Sequence, residues 1–434
     1  MTMKIYSWEE LDDALRGTLL QRPATADDAA VRAGTRSIID EVRIDRDKAL
    51  FRLTENFDKA SLNELRVSET EVADAEAQLG AEELAAIDLA IANVRRFHEA
   101  QVTPDIRVET MPGVLCERLT RPIEAVGLYV PAGTAPLPSA AIMLAVPARI
   151  AGCPTRVLCT PPRPDGTADP AVLVAATRAG VSEIYKVGGA QAIAAMAYGT
   201  ESVPKVHKIF GPGNAWVTCA KTLISTDTNG AAIDMPAGPS EVLVIADADA
   251  SAEFVASDLL SQAEHGVDSQ VVLLTTSSGL AEQVVAELDQ QLADISRAQI
   301  ASAALANSRI IVADDLDTAL DVSNAYAPEH LILQVEDPRA LLDRVNNAGS
   351  VFVGPWTPES AGDYCSGTNH VLPTYGYARA WSGLGVDQFV RQMTVQELSR
   401  EGLENLGAAI VTLAGLEGLD AHAAAVKRRL GSES

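Results

Sequence analysis

The sequence predicts an α/β protein with two blocks of parallel strands, and three observations carry that prediction. Short β-rich runs alternate with Ala-rich helical stretches from Val126 to about residue 211, the same rhythm restarts at Glu241, and segments of helical texture flank the pair. A β-α-β-α alternation implies parallel strands joined by crossover helices. The expectation is therefore two Rossmann-like parallel-sheet domains with small N-terminal and C-terminal helical segments. The length of 434 residues fits such an arrangement, because about 150 residues per domain gives roughly three units.

Residues 1–25 form an N-terminal segment that turns acidic at once (MTMKIYSWEELDDALRG) and has no apolar stretch of the kind that opens a signal peptide. From residue 26 to about 101 the pattern is helical, with Leu79, Leu84, Ile87, Leu89, Ile91 and Val94 at near-helical spacing. In the first block VGLYV (126–130), RVLCT (156–160), EIYKVG (183–188) and KIFG (208–211) are strands, with helices around 139–151, 170–179 and 190–198. In the second, EVLVIAD (241–247), QVVLLTT (270–276), RIIVADD (309–315), HLILQV (330–335) and SVFVG (350–354) are strands, with helices near 252–264, 279–293 and 337–346. The helical stretch before the first block has no strands of its own and is expected to pack around the second. Residues 26–128 and 241–384 then form one α/β domain, and 129–240 an inserted one. After about residue 385 the chain reads as helical again, with Thr394 and Glu397 in a capping-box pattern and an amphipathic stretch from Ser399. The tail 385–434 cannot bury much core alone, so it is expected to dock elsewhere, on a neighbour if the protein is a homo-oligomer.

Composition excludes several function classes. Apolar residues make up 47% and charged residues 21%, as in ordinary globular proteins and unlike disordered chains. The formal charge of −25 repels phosphate backbones and acidic lipid surfaces, which argues against nucleic acid and membrane partners. The longest apolar run, Ala140 to Ala148, contains Pro147 and is far short of a membrane span. Five cysteines without a Cys-x-x-Cys pair argue against a disulfide framework or a zinc ribbon and suit a reducing cytoplasm.

The ionisable residues cluster in a few segments. SDLLSQAEHG puts Gln262 and His265 three apart on one helix face, where both reach a single ion, or where His265 simply meets the helix dipole. YAPEHLILQ puts Glu329 and His330 at a strand entrance, as an acid/base pair or as the polar rim of a turn. PESAGDYCSGTNHVLPT holds Glu359, Asp363 and His370 in a Gly- and Ser-rich loop, and EGLDAHAAAV holds Glu417 and His422, with Asp420 as a helix cap. The cysteines have no His beside them and are read as buried structural thiols. No G-x-G-x-x-G opens a helix after a strand. Instead, three glycine-rich strand exits lie in the first block: YVPAGTAPLPS after Tyr129, KVGGAQAIAA around Gln191 and FGPGNAWV around Asn214. Open parallel sheets bind ligands beyond the carboxyl ends of their strands, so this block is the cofactor candidate.

Together with VGLYVPAGTAPLPS, AAIDMPAGPSEVLVIAD, YAPEHLI, PESAGDYCSGTNHVLPTYGYAR and MTVQELSREGL, these segments resemble the histidinol dehydrogenase family from about residue 110 to the C-terminus. The resemblance implies oxidation of L-histidinol through L-histidinaldehyde to L-histidine, with two NAD⁺ and one zinc ion (Zn2+) per subunit. It implies zinc ligands Gln262, His265, Asp363 and His422, and an acid/base pair Glu329 and His330. Ser240, His370 and Glu417 would hold the substrate, which His330 and the metal ligands also border. Tyr129, Gln191 and Asn214 would border NAD. It further implies a tail-swapped homodimer in the cytoplasm, with Glu417 and His422 completing the neighbour's site. Cys365 stands where a small residue is usual in the family.

Overall fold

The structure, a computed structural model, describes residues 3–22, 29–132, 135–235 and 238–431. Among these residues the chain forms three sheets. A five-stranded parallel sheet takes the order Glu183–Lys186, Thr155–Thr160, Ala125–Tyr129, Lys208–Phe210, Ala232–Ile233. A six-stranded parallel sheet takes the order Lys4–Ser7, Arg309–Val312, Gln270–Thr275, Glu241–Ala246, His330–Gln334, Ser350–Val353. The α/β class with parallel sheets thus holds. The N-terminal segment is not helical throughout, because Lys4–Ser7 is the edge strand of the larger sheet.

The helices before the first block pack on the five-stranded sheet, not around the second block as expected. Ile38, Leu50 and Leu53 share a core with Ile193, Met196 and Val217, while Ala75, Ile91 and Val94 share one with Ile142 and Leu173. The reason is legible in the helices that they cover. Gly189–Tyr198 and Pro138–Ile150 are apolar all round and buried along almost their whole length, so each needs a second layer outside it. The six-stranded sheet needs none from there, since Ala252–Ala263, Ser278–Gln291, Ala298–Ala306 and Leu316–Tyr326 cover its faces.

The tail also departs from its helical reading. Val390–Leu398 is a strand, antiparallel to Val114–Pro122, which pairs in turn with Ile106–Met111. Thr394 and Glu397 lie in that strand, and the cap of the helix Arg400–Leu416 is Ser399, whose Oγ accepts from Gly402 N at 3.0 Å. An extended partner across the ladder has overridden a local capping signal, as tertiary context commonly does. The helices Arg400–Leu416 and Asp420–Leu430 then pack on each other, leaving Leu413, Leu416 and Leu419 exposed. No helix among the described residues is long and apolar enough to cross a membrane.

Candidate active site

A cavity of about 1060 Å³ lies between the two parallel sheets. On the five-stranded side it meets the carboxyl ends of strands. Tyr129 ends its strand there, and its hydroxyl accepts from Gly189 N at 3.0 Å at the start of the helix Gly189–Tyr198, which buries Gln191 in its first turn. Asn214 caps the helix Ala215–Ser225, its Oδ1 accepting from Trp216 N and Val217 N at 3.1 Å each. The loop before it is clamped at Gly211, whose N–H donates to Asp234 Oδ2 at 2.8 Å and whose carbonyl accepts from Lys221 Nζ at 2.9 Å. Gly211 has φ +120° and lies against the Tyr129 carbonyl, where a side chain has no room.

On the six-stranded side the cavity meets the amino ends of strands. Ser240 and Glu241 enter one strand, Glu329 and His330 enter its neighbour, and His330 sits in register with Val242. The Glu241 N–H donates to Glu329 Oε2 at 2.8 Å, and His330 Nδ1 lies 3.0 Å from the Glu241 carbonyl. A carbonyl only accepts, so Nδ1 carries the proton and donates it. His330 Nε2 is then the lone-pair nitrogen, buried without a hydrogen-bond partner and 3.8 Å from Asp363 Oδ1. Gln262 and His265 stand at the end of the helix Ala252–Ala263. The Gln262 amide lies 3.1 Å from His265 Nδ1, which is 3.4 Å from Ser240 Oγ. Turned so that its nitrogen faces the acids, the same amide donates to Glu359 and accepts from His265.

Burial sets the protonation of this side. It pushes His330 down to about 3 and His370 down to about 4, and also lowers His265, so all three favour the neutral imidazole. It raises Glu329 and Glu359 well above the usual carboxylate range, with neighbouring carboxylates adding to the effect, and brings Asp363 up to about 7. Ligand atoms of His330, Glu359 and Asp363 lie within 4.8 Å of one another, and His370 Nδ1 is 3.9 Å from Asp363 Oδ1. Neutral imidazoles with open nitrogens beside desolvated carboxylates make a nitrogen/oxygen donor set that a divalent cation would relieve. His330 Nε2 and His370 Nε2, both buried without a hydrogen-bond partner among the described residues, fit that reading.

Nine of the residues singled out in the sequence line this one cavity: Tyr129, Gln191, Asn214, Ser240, His265, Glu329, His330, Asp363 and His370. Gln262 is fully buried against His265. Glu417 and His422 are exposed on the tail and do not line the cavity of their own chain. Among the described residues the cysteines are free and none lines the cavity; Cys153 and Cys159 are buried, but Cys116, Cys219 and Cys365 are only half-buried, short of the expected burial. Sequence reasoning missed Phe57 and Asp58 on the five-stranded side, the Lys221–Asp234 pair, and Glu241. It noted Glu359 without giving it a role among the ligands. An acidic residue opening an otherwise apolar strand was the available signal for Glu241, while nothing local marked Asp58.

Known proteins resemble this chain along nearly its whole length. The family model described as Histidinol dehydrogenase matches residues 20–430. A histidinol dehydrogenase of Vibrio vulnificus (strain YJ016) is 56% identical over 428 residues, covering 99% of this chain and 98% of its own. One from Xanthomonas oryzae pv. oryzae is 57% identical over 429 residues, covering 99% of each. The crystal structure of histidinol dehydrogenase from Elizabethkingia anophelis superposes with a TM-score of 0.95 at 46% identity, over 99% of this chain and 98% of that one.

Proposed function

The chain belongs to the histidinol dehydrogenase family of oxidoreductases, and on that premise we propose that it takes L-histidinol through L-histidinaldehyde to L-histidine, using two NAD⁺ and a zinc ion. The observation that carries this reading is the His330–Glu329 pair. A neutral imidazole with Nε2 open and a carboxylate of raised proton affinity stand side by side, on the wall of a cavity whose opposite side carries the starts of three helices.

Tyr129, Gln191 and Asn214 border the dinucleotide, where the starts of the helices Gly189–Tyr198 and Ala215–Ser225 favour an anionic pyrophosphate. Gln262, His265 and Asp363, with His422 of a second copy of the chain, would hold zinc. Zinc in that place supplies a template that orients the amino alcohol, and NAD⁺ supplies the hydride acceptor. Ser240, His370 and Glu417 of the second copy would hold the substrate. In the first step His330 Nε2 takes the hydroxyl proton as the carbinol carbon gives up hydride. In the second, Glu329 accepts a proton from the water that adds to the aldehyde carbon, and the hydrate is oxidised in turn. The exposed Leu413, Leu416 and Leu419 support a tail that finishes its burial on a second copy, as a swapped homodimer requires. The five cysteines, free among the described residues, suit a reducing compartment, and we place the enzyme in the cytoplasm.

An NADH-absorbance assay with histidinol tests the reading. Two NADH should form per histidinol consumed, chelation should abolish turnover, and added zinc should restore it. Aldehyde accumulating after one NADH, or turnover indifferent to chelation, would refute it.

A further inference from the structure

The backbone of a single residue orients the acid/base pair: Glu241 donates its N–H to Glu329 Oε2 at 2.8 Å and accepts at its carbonyl from His330 Nδ1 at 3.0 Å. What holds Glu241 comes from the far end of the sequence. Arg22 grips its carboxylate with two prongs, Nε to Oε1 and Nη2 to Oε2, each at 2.8 Å. The pair is buried, with side-chain exposures of 9% and 2%, and the guanidinium sits 3.8 Å over the Tyr326 ring.

The same ion pair also reaches two strained segments. Arg22 Nη2 donates to the Ala327 carbonyl at 3.2 Å, and Glu241 Oε1 accepts from Tyr375 N at 2.8 Å. Ala327 and Tyr375 both have φ +56°, a left-handed conformation that side chains avoid. Ala327 leads into Pro328, Glu329 and His330, and Tyr375 closes the segment that follows His370. Strain of this kind persists where the surroundings over-determine it, and it clusters at functional sites.

We infer that Arg22 and Glu241 are positioning residues for the reaction proposed above, on which this inference rests. Neither needs to touch substrate or cofactor. Their ion pair fixes the Glu241 backbone, which keeps the proton on His330 Nδ1, leaves Nε2 open, and holds the Glu329 carboxylate beside it. The pair also holds Ala327 and Tyr375 in place. Stability alone is a weak reason for such a pair, because well-packed apolar residues commonly replace a buried ion pair without loss.

The test compares Glu241→Gln, Arg22→Lys and the double variant Arg22→Met/Glu241→Leu with the wild-type enzyme in kcat, NAD⁺ affinity by calorimetry and thermal midpoint. Glu241→Gln should lose about tenfold or more in kcat with NAD⁺ affinity within about twofold, because small misplacements of reacting groups are costly. Arg22→Lys, which keeps a charge beside Glu241 but not the two-pronged grip, should lose less. The double variant should stay slow even where its thermal midpoint matches the wild type. A kcat for Glu241→Gln within about threefold of wild type, or a double variant whose kcat returns with its stability, overturns the inference. If the double variant does not fold, Glu241→Gln decides. Wild-type enzyme that fails to oxidise histidinol overturns the functional reading itself, a result distinct from an active Glu241→Gln.

Discussion

The five-stranded and six-stranded sheets are built alike, yet they present opposite edges to the cavity. The first meets it with carboxyl ends, where crossover helices begin: Pro138–Ile150, Gly189–Tyr198 and Ala215–Ser225 all start there. The second meets it with amino ends, where helices finish: Ala252–Ala263 stops just before His265, and Leu316–Tyr326 just before Glu329. Helix starts carry partial positive charge and helix ends partial negative charge. The first edge therefore suits an anionic dinucleotide, and the second a cation among carboxylates and neutral imidazoles. Ligand binding beyond the carboxyl ends of parallel strands describes one half of this site and not the other. On the function proposed above, one scaffold used in both polarities would separate binding from chemistry.

Under that division, damage on one side should leave the other side's measurement intact. His330→Asn should lower the rate of the alcohol step by on the order of 10²–10⁴, the usual cost of removing a general base, without changing NAD⁺ affinity. Single-turnover NADH formation together with calorimetry checks this, and a parallel loss of NAD⁺ binding would break the comparison. The amino-edge site should also need two chains. Inactive His265→Ala and inactive His422→Ala enzymes, mixed and allowed to exchange subunits, should recover activity and zinc in about half of the heterodimer's sites, since one site then has both ligands intact. A mixture still inactive after verified exchange would leave the tail out of the site.

Smaller effects sharpen the picture. Glu329→Gln should slow oxidation of supplied histidinaldehyde more than oxidation of histidinol to the aldehyde, because only the former needs an activated water; rapid-mixing traces for each substrate would show the split, and equal losses would contradict it. Asn214→Ala should raise KM for NAD⁺ and cost about 1 kcal/mol of stability through the lost cap, with the alcohol step at saturating NAD⁺ nearly unchanged. Asp58 is the exception on the five-stranded side, a carboxyl at a helix end that burial brings up to about 6. A carboxyl raised on folding holds its proton more tightly in the native state, so stability falls as pH rises from the ordinary carboxylate range through about 6 and is level above it. Asp58→Asn should accordingly raise the thermal midpoint more at pH 8 than at pH 5. Equal gains at both pH values would assign the effect to packing.

Much of this molecule was determined locally. Strands such as Glu241–Ala246 and His330–Gln334, and helices such as Pro170–Ala179 and Ala252–Ala263, follow from periodicity and caps within a window of ten or so residues. Motifs in register along the chain pointed to the family and to the residues that share the cavity, because chemistry demands particular residue types whatever surrounds them. Tertiary structure decided what depends on partners far away in sequence. Val390–Leu398 is a strand because Val114–Pro122 offers it a ladder, and Lys4–Ser7 is one because Arg309–Val312 does. The helices of the first quarter settle on the five-stranded sheet because its all-apolar crossover helices need covering. Arg22 meets Glu241 across 219 residues, a pairing that no local pattern encodes. Nor does any local rule say which edge of a sheet will face a cleft, since that depends on how one block docks against another.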